Sequence, residues 1–327
     1  MKALITGITG FVGSHLADLL LTEDVEVIGL TRWRSPKENI HHLVDKVTIE
    51  HGDLLDLSSL HRILKKYRPD VIFHLAAQSY VPYSFDAPAA TLDVNAIGTC
   101  NLLEAVRMLR DDGFDPIIHV CSSSECYGQV RQDEVPIKET NPLRPASPYA
   151  VSKVCEDMLA FQYHISWGMK IIRTRLFTHT GPRRGDVFVV SNFAKQIAEI
   201  EQGFRPPVIS VGNLDSIRTF MDVRDAVRAY WMLVNMCPAG EVYNVGGNIT
   251  MSIKEMLDML LHLSSTKIEV VVDPERLRPS DVTLQIPSTD KFRAITGWKP
   301  EVDFGVTLKD TLDYWRNWAR EIEGKRN

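Results

Sequence analysis

The sequence predicts an α/β fold built on a doubly wound, mainly parallel sheet, with a smaller α/β C-terminal lobe. Three observations carry this reading. Short apolar runs rich in branched residues alternate with stretches of helical length. The first run ends in the turn Gly7-x-x-Gly10-x-x-Gly13. Past Gly181 prolines become frequent and the alternation loosens. With 327 residues, 44% of them hydrophobic and 24% charged, the chain is long enough for a sizeable core and an appended lobe.

In chain order, Lys2–Thr6 reads as a buried first strand. Leu16, Leu19 and Leu20 fall at helical spacing after the glycine turn, and Val25–Leu30 is a second apolar run, which completes one βαβ unit. Val47–Ile49, Val71–His74, Ile117–Cys121 and Ile171–Leu176 predict four more strands. The expected division is a dinucleotide-binding domain over residues 1–180, carrying the catalytic residues, and a mainly substrate-binding lobe over 181–327 with some return to the first core. In that lobe Ser252 and Glu255 form a capping box ahead of Ile253, Met256, Leu257 and Leu260. Thr307 and Asp310 are expected to start a helix that buries Leu308, Leu312, Trp315 and Ile322.

Charge and composition narrow the function. Lysines and arginines number 37 against 42 acidic residues, a net charge of −5 with no basic block, so the footprint of a nucleic-acid binder is missing. No apolar run approaches the roughly 20 residues that cross a bilayer, and MKALITG lacks the regions of a signal peptide. A cytoplasmic protein without membrane partners is expected. Five cysteines without C-x-x-C spacing read as reduced thiols, with neither a disulfide framework nor a zinc site.

The glycine turn joins strand to helix, where glycines allow a tight turn, close approach of a pyrophosphate and strand–helix packing. Unpaired N–H groups and the positive end of the helix dipole favour an anion there. This is the arrangement of a Rossmann dinucleotide site. An NAD site would place a carboxylate at the end of the second strand, but the chain reads Leu30-Thr31-Arg32-Trp33-Arg34. Arg32 and Arg34 can grip a 2′-phosphate in forked, charge-assisted bonds, which points to NADP; two solvated arginines are the alternative. Asp53, in His51-Gly52-Asp53-Leu54, could accept from an adenine amino group or simply form a turn.

Ser147-Pro148-Tyr149-Ala150-Val151-Ser152-Lys153 reads as a helix start, with Ser147 as cap and Pro148 in the first turn. Tyr149 and Lys153 then share a face, and an ammonium one turn from a phenol is expected to lower its pKa toward the range of an acid/base catalyst. The fifth strand ends in Cys121-Ser122-Ser123-Ser124-Glu125, delivering hydroxyls and one carboxylate to the sheet edge where ligands bind. Ser123 can bridge a sugar hydroxyl and the Tyr149 oxygen. Glu125 can move a second proton.

In order along the chain, the glycine turn, His74-Leu75-Ala76-Ala77-Gln78, Asn95-Ala96-Ile97-Gly98-Thr99, Ser123 and Tyr149-x-x-x-Lys153 resemble the signatures of the extended short-chain dehydrogenase/reductase family. Within it, Ser124 to Gly128, Arg144 to Val151, Leu176-Phe177-x-His179, Pro182 to Gly185, Gly212 to Asp215 and Arg278 to Val282 are similar to GDP-mannose 4,6-dehydratases and to the GDP-4-keto-6-deoxy-mannose reductases that act after them. The resemblance implies that Ser123, Tyr149 and Lys153 form the family's catalytic set and that Asn95 organises the catalytic helix. It implies that Phe11, Val12, Leu54, Leu75, Ala76 and Ala77 join the glycines at the cofactor. Gln78, Ser79, Ser124, Thr178, His179, Arg184, Asn213, Arg218 and Arg278 would face a GDP-sugar of hexose or heptose type. Phe11-Val12 stands where the dehydratases carry Gln-Asp, as in the reductases; Ser123 replaces their usual Thr, and Thr178 their Asn. Loops near Arg32 resemble dehydratase subunit contacts, which implies a homodimer or homotetramer; an exposed charged loop is the alternative.

The resemblance thus implies a lyase that oxidises C4, eliminates water across C5 and C6 and returns the hydride to C6. An NADPH-dependent keto-sugar reductase, a 4-epimerase and a non-enzymatic NADP sensor are the alternatives, and Glu125 is the residue that separates the first from the rest.

Overall fold

Branched residues buried on both faces decide where the sheet lies. The structure is a computed structural model and describes residues 1–276 and 284–326. The first part of the chain runs β1 (Lys2–Thr6), α1 (Phe11–Thr22), β2 (Glu26–Thr31), β3 (Thr48–His51), α2 (Leu57–Tyr67), β4 (Val71–His74), α3 (Val81–Asp86), α4 (Pro88–Leu92), α5 (Gly98–Arg107), β5 (Ile117–Ser123), α6 (Pro148–Trp167) and β6 (Ile171–Leu176). The rest runs β7 (His179–Thr180), α7 (Val189–Glu201), β8 (Val208–Val211), β9 (Ile217–Asp222), α8 (Val223–Met236), β10 (Val242–Val245), β11 (Ile249–Ser252), α9 (Ile253–His262), β12 (Glu269–Val272), β13 (Leu284–Gln285), α10 (Asp290–Thr296) and α11 (Phe304–Arg326).

The main sheet has seven strands in the order β10-β6-β5-β4-β1-β2-β3, and every neighbouring pair is parallel. Every residue of β4 and of β6 is buried, as a strand covered by helices on both faces requires. Leu16 and Leu20 of α1 pack with Val227 and Tyr230 of α8 on one face. Leu60 of α2, Leu103 and Val106 of α5 and Ala160 of α6 cover the other. The chain leaves β1 toward β2 and β3, then returns to β4 on the opposite side of β1. A crevice opens at the C-terminal ends of β1 and β4, where the winding reverses.

After β6 the chain builds a lobe around Phe193, Ile197, Phe220, Leu257, Leu308 and Trp315, beside small sheets made by β7, β9, β11 and β13 and by β8 and β12. It comes back to the main body with α8 and β10.

Several details differ from expectation: β2 lies one residue later than Val25–Leu30, β5 runs past Cys121 to Ser123, and Ile322 of the last helix is only half-buried. β3 starts at Thr48 and runs on to His51. The last helix starts at Phe304, ahead of Thr307, because Asp303 supplies the cap: its Oδ1 accepts from the Gly305 amide at 2.8 Å. Thr307 instead donates to the buried Asp222 at 2.8 Å, and Asp310 pairs with Arg224 at 2.9 Å. The Ser252–Glu255 capping box is present, and all five cysteines are free thiols. Among the described residues no helix is long and apolar enough to cross a membrane.

Candidate active site

The crevice is a cleft of about 1610 Å3. That exceeds the roughly 300 to 1,000 Å3 of a single small-ligand pocket and leaves room for two extended ligands.

At its floor the glycine turn is a cradle that side chains would fill. Gly7 has φ +75°, and its carbonyl accepts from the Gly10 amide at 2.9 Å. A Cβ on Gly13 would lie 2.3 Å from the Gly7 oxygen, and one on Gly7 would lie 2.9 Å from the Ala76 Cα. Gly10 caps α1 without any side-chain acceptor, so the first amides of the helix are not taken by a cap. These features fit the pyrophosphate of a dinucleotide.

The neighbouring wall is fixed by a buried relay. Thr6 Oγ1 accepts from the Leu75 and Ala76 amides at 3.0 and 3.1 Å and pairs with His74 Nδ1 at 2.9 Å. His74 Nε2 lies 2.9 Å from Thr99 Oγ1, which donates to the Asn95 carbonyl. Since the threonine protons are spent on Nδ1 and on that carbonyl, the histidine is neutral with its proton on Nε2. Burial agrees, pushing its pKa down to about 3. Asn95 sits in a single π-helical turn, Asp93–Ile97. Its Oδ1 accepts from the Gln78 amide at 2.8 Å, and its Nδ2 donates to the Gln78 carbonyl at 2.9 Å and to Ser152 Oγ at 2.8 Å.

The opposite wall carries the hydroxyl, phenol, ammonium and carboxyl groups of Ser123, Tyr149, Lys153 and Glu125. Ser147 caps α6, accepting from the Ala150 amide at 3.1 Å, with Pro148 at the first helical position. This sets Tyr149 at the cleft, buried, on the same wall as the Ser123 hydroxyl. Lys153 lies one turn on, its Nζ 6.0 Å from the Tyr149 ring centroid. The expected lowering of the phenol's pKa is not what this geometry produces. Burial dominates and pushes Tyr149 up to about 12, against the lowering by the Lys153 charge and by the nearby Ser123 hydroxyl. Glu125 follows Ser123 in a short 3-10 turn; its amide donates to Ser123 Oγ at 3.2 Å, and its Oε1 accepts from Gln285 Nε2 at 3.2 Å.

On the lobe side, the Arg184 guanidinium lies 3.9 Å from the Phe188 ring centroid and 4.9 Å from that of Phe11. Its Nη1 is 3.2 Å from His179 Nε2, and the His179 ring stacks on Phe11 at 5.7 Å. Arg218 is buried and donates to the Ile217 carbonyl; Asn213 donates to Ser216.

The cleft therefore gathers the three glycines, Phe11, Val12, Arg32, Asp53, Leu54, Leu75, Ala76, Ala77, Gln78 and Ser79 with Ser123, Ser124, Glu125, Tyr149 and Lys153, and with Thr178, His179, Arg184, Asn213 and Arg218. Arg34 is exposed and does not line it, although Arg32, Ser35 and Pro36 on either side do. Arg278 lies outside the described residues. Sequence reasoning missed Gln285 and Arg276, which line the cleft from far along the chain, and Glu156, which binds Lys153 at 2.8 Å. Only Glu156 had a local signal, its spacing of three from Lys153 on a predicted helix.

A parallel sheet with a dinucleotide turn at its switch point and a Ser, Tyr and Lys at the adjoining strand edge defines the class of short-chain dehydrogenases/reductases. The sequence model described as GDP-mannose 4,6 dehydratase matches residues 4–311. The chain belongs to the GDP-mannose 4,6-dehydratase family of nucleotide-sugar enzymes. Among its relatives, the GDP-6-deoxy-D-mannose reductase of Pseudomonas aeruginosa is 35% identical over 98% of this chain and 99% of its own. A GDP-mannose 4,6-dehydratase of Vibrio cholerae is 35% identical over 92% of this chain and 90% of its own. The solved structure of RMD from Pseudomonas aeruginosa complexed with NADPH matches with a TM-score of 0.84 at 34% identity, covering 97% of this chain and 99% of that one.

Proposed function

We propose that the protein is an NADP-dependent 4,6-dehydratase acting on a GDP-sugar such as GDP-mannose. The observation that carries this reading is Glu125, a carboxylate in the same cleft as Tyr149 and Lys153, two residues beyond Ser123 on the same turn. Simple reduction or epimerisation at C4 has no use for a second acid/base group. Elimination of water from C5 and C6 requires one.

When bound, NADP supplies an acceptor for hydride from C4 and a donor of hydride to C6. Tyr149 takes the 4-hydroxyl proton, with the Ser123 hydroxyl on the same wall of the cleft to steady the sugar oxygen and Lys153 stabilising the phenolate. The resulting 4-ketone acidifies the C5 hydrogen; Glu125 removes that proton and passes it to the 6-hydroxyl, which departs as water, and as C6 regains hydride the proton held on Tyr149 returns to C5, restoring the site. Gln285 steadies the Glu125 carboxyl. Arg184, stacked between two phenyl rings beside His179, suits a diphosphate by charge and by planar geometry. Arg32 at the cleft rim supports NADP over NAD. Exposed Ile97, Val151, Met158 and Ile165 at α5 and along α6 support a homo-oligomer, and a cytoplasmic location accords with the sequence composition.

A second reading, an NADPH-dependent reductase of GDP-4-keto-6-deoxy sugars, is favoured by Phe11-Val12 and by the reductase relative. Incubation with GDP-mannose and catalytic NADP, without added reductant, separates the two. A 4-keto product absorbing in alkali is expected; turnover only with a keto-sugar and stoichiometric NADPH would replace the dehydratase by the reductase.

A further inference from the structure

Lys153 is anchored to the sheet as well as to its own helix. Its Nζ donates to the Cys121 carbonyl of β5 at 3.0 Å and to Glu156 Oε2 at 2.8 Å. The lysine and glutamate side chains are 7% and 2% exposed. The second carboxylate oxygen, Oε1, is buried with no hydrogen-bond partner among the described residues. Such a pair is a poor stabiliser, because desolvating two ions offsets most of their attraction and apolar residues of similar volume do as well. The packing of α6 on β6 does not depend on it either: Asp157, the next residue, already holds Arg173 and Arg175 at 2.6 Å each.

We propose that Glu156 is a positioning residue for the tyrosine: as counter-ion of Lys153 it pins the ammonium against β5 and limits the positive charge that reaches the Tyr149 phenol. The groups packed around the pair support this assignment. Asp157 of α6 is matched by its two arginines. Burial keeps Cys121 of β5 and Tyr230 of α8 protonated and His74 of β4 neutral. Arg184, in the loop after β7, adds positive charge near the phenol. Glu125, the other carboxylate lining the cleft, is held by Gln285 on the turn after β5, and Glu156 is the anion in direct contact with Lys153. Burial raises its carboxyl to about 7 against the pull of the lysine, so it is ionised throughout the alkaline range in which the phenol titrates. Tyr149 consequently gives up its proton less readily than Lys153 alone would allow, and the phenolate forms against the pull of Glu156 on the ammonium.

The inference rests on Tyr149 as the proton-transfer group and not on the identity of the sugar. Its test is a phenolate absorbance titration of the full chain without cofactor, taken as the difference from Tyr149→Phe. In Glu156→Gln the midpoint should fall by on the order of one pH unit, a tenfold rise in phenolate at fixed pH. Glu156→Asp, whose carboxylate sits one methylene farther from Nζ, should show a smaller fall. The acid limb of the kcat/KM profile should move in the same direction. An unchanged or higher midpoint in folded Glu156→Gln overturns the proposal; should that variant not fold, a wild-type midpoint in Glu156→Asp does so. A shifted midpoint in a protein that turns over no GDP-sugar would leave this inference standing and remove the dehydratase reading.

Discussion

Asn95 and Ser152 meet through a 2.8 Å hydrogen bond that ties the π-helical turn before α5, and through its bonds to Gln78 the loop after β4, to helix α6. Ser152 in turn donates to the Tyr149 carbonyl at 2.7 Å, so the asparagine holds the turn of α6 that carries both tyrosine and lysine. Asn95→Ala strips the half-buried Gln78 amide and carbonyl of their partners together with Ser152. A loss of about 2 to 3 kcal/mol is expected, read as a lower urea midpoint, with kcat falling more than KM rises. Wild-type stability in that variant would show that the contacts are dispensable.

The glycine cradle gives a second prediction. Gly13→Ala places a methyl 2.3 Å from the Gly7 carbonyl, which is backbone and cannot swing aside. The turn must open, and NADP affinity measured by calorimetry should drop at least about tenfold, the equivalent of 1.4 kcal/mol. Gly203→Ala serves as a control: it has positive φ and no neighbour within 4 Å, so it should cost stability and leave affinity alone.

The fold was legible wherever the signal was local. Branched runs marked the strands, and Ser147-Pro148 marked the start of the helix that presents Tyr149 and Lys153. What escaped was set by tertiary contact. Gln285 reaches Glu125 across 160 positions, and no pattern near either residue foretells it. The sign of the Tyr149 shift escaped because spacing shows the lysine and conceals both the burial and the glutamate that offsets it. Helix α6 hides its own buried face, since Ser152, Lys153, Glu156 and Asp157 are all buried polar residues and mask any apolar stripe. Arg32 and Arg34 could not be told apart for a related reason: they stand two residues apart in sequence, and no local pattern shows that the first lines the cleft and the second does not.

Cofactor choice follows from that difference. Arg32→Ala should weaken NADP binding about tenfold or more while NAD binding stays within about twofold, and Arg34→Ala should change neither. Equal losses for both dinucleotides in Arg32→Ala would mean that the guanidinium does not meet a 2′-phosphate.

Buried histidines give the protein an acid-side stability slope. Burial holds His74 and His119 down at about 3 and His15 at about 4, against about 6.5 for an unfolded histidine. The native state therefore binds fewer protons than the unfolded one below pH 6.5. Their contribution is complete above that pH and is lost as pH falls from 6.5 toward 3, at about 1.4 kcal/mol per pH unit for each histidine. Urea midpoints at pH 7, 6 and 5 should decline accordingly. His119→Gln keeps an amide near Thr174, the partner of Nε2 at 2.8 Å, and should flatten the slope by about one proton. An identical slope in that variant would assign the acid lability to other groups.

The sharpest separation of chemistries lies at Glu125. Its carboxyl lines the cleft with Tyr149 but is held by Gln285 and by the turn after β5, so an amide of the same shape leaves both the glycine cradle and the tyrosine pair in place. Glu125→Gln should bind NADP as the wild type does. Oxidation at C4 needs only the Tyr149 side of the site, so reduced cofactor should form once per site and then persist, while loss of water slows by about 100- to 10,000-fold, the range of a missing general acid/base. A single-turnover absorbance trace with GDP-mannose reads both steps: a burst of reduced nicotinamide that fails to decay is the expected record. Decay at the wild-type rate would take Glu125 out of the elimination. Absence of any burst in the wild-type protein with this substrate would mean instead that the sugar arrives already oxidised at C4, the signature of a reductase.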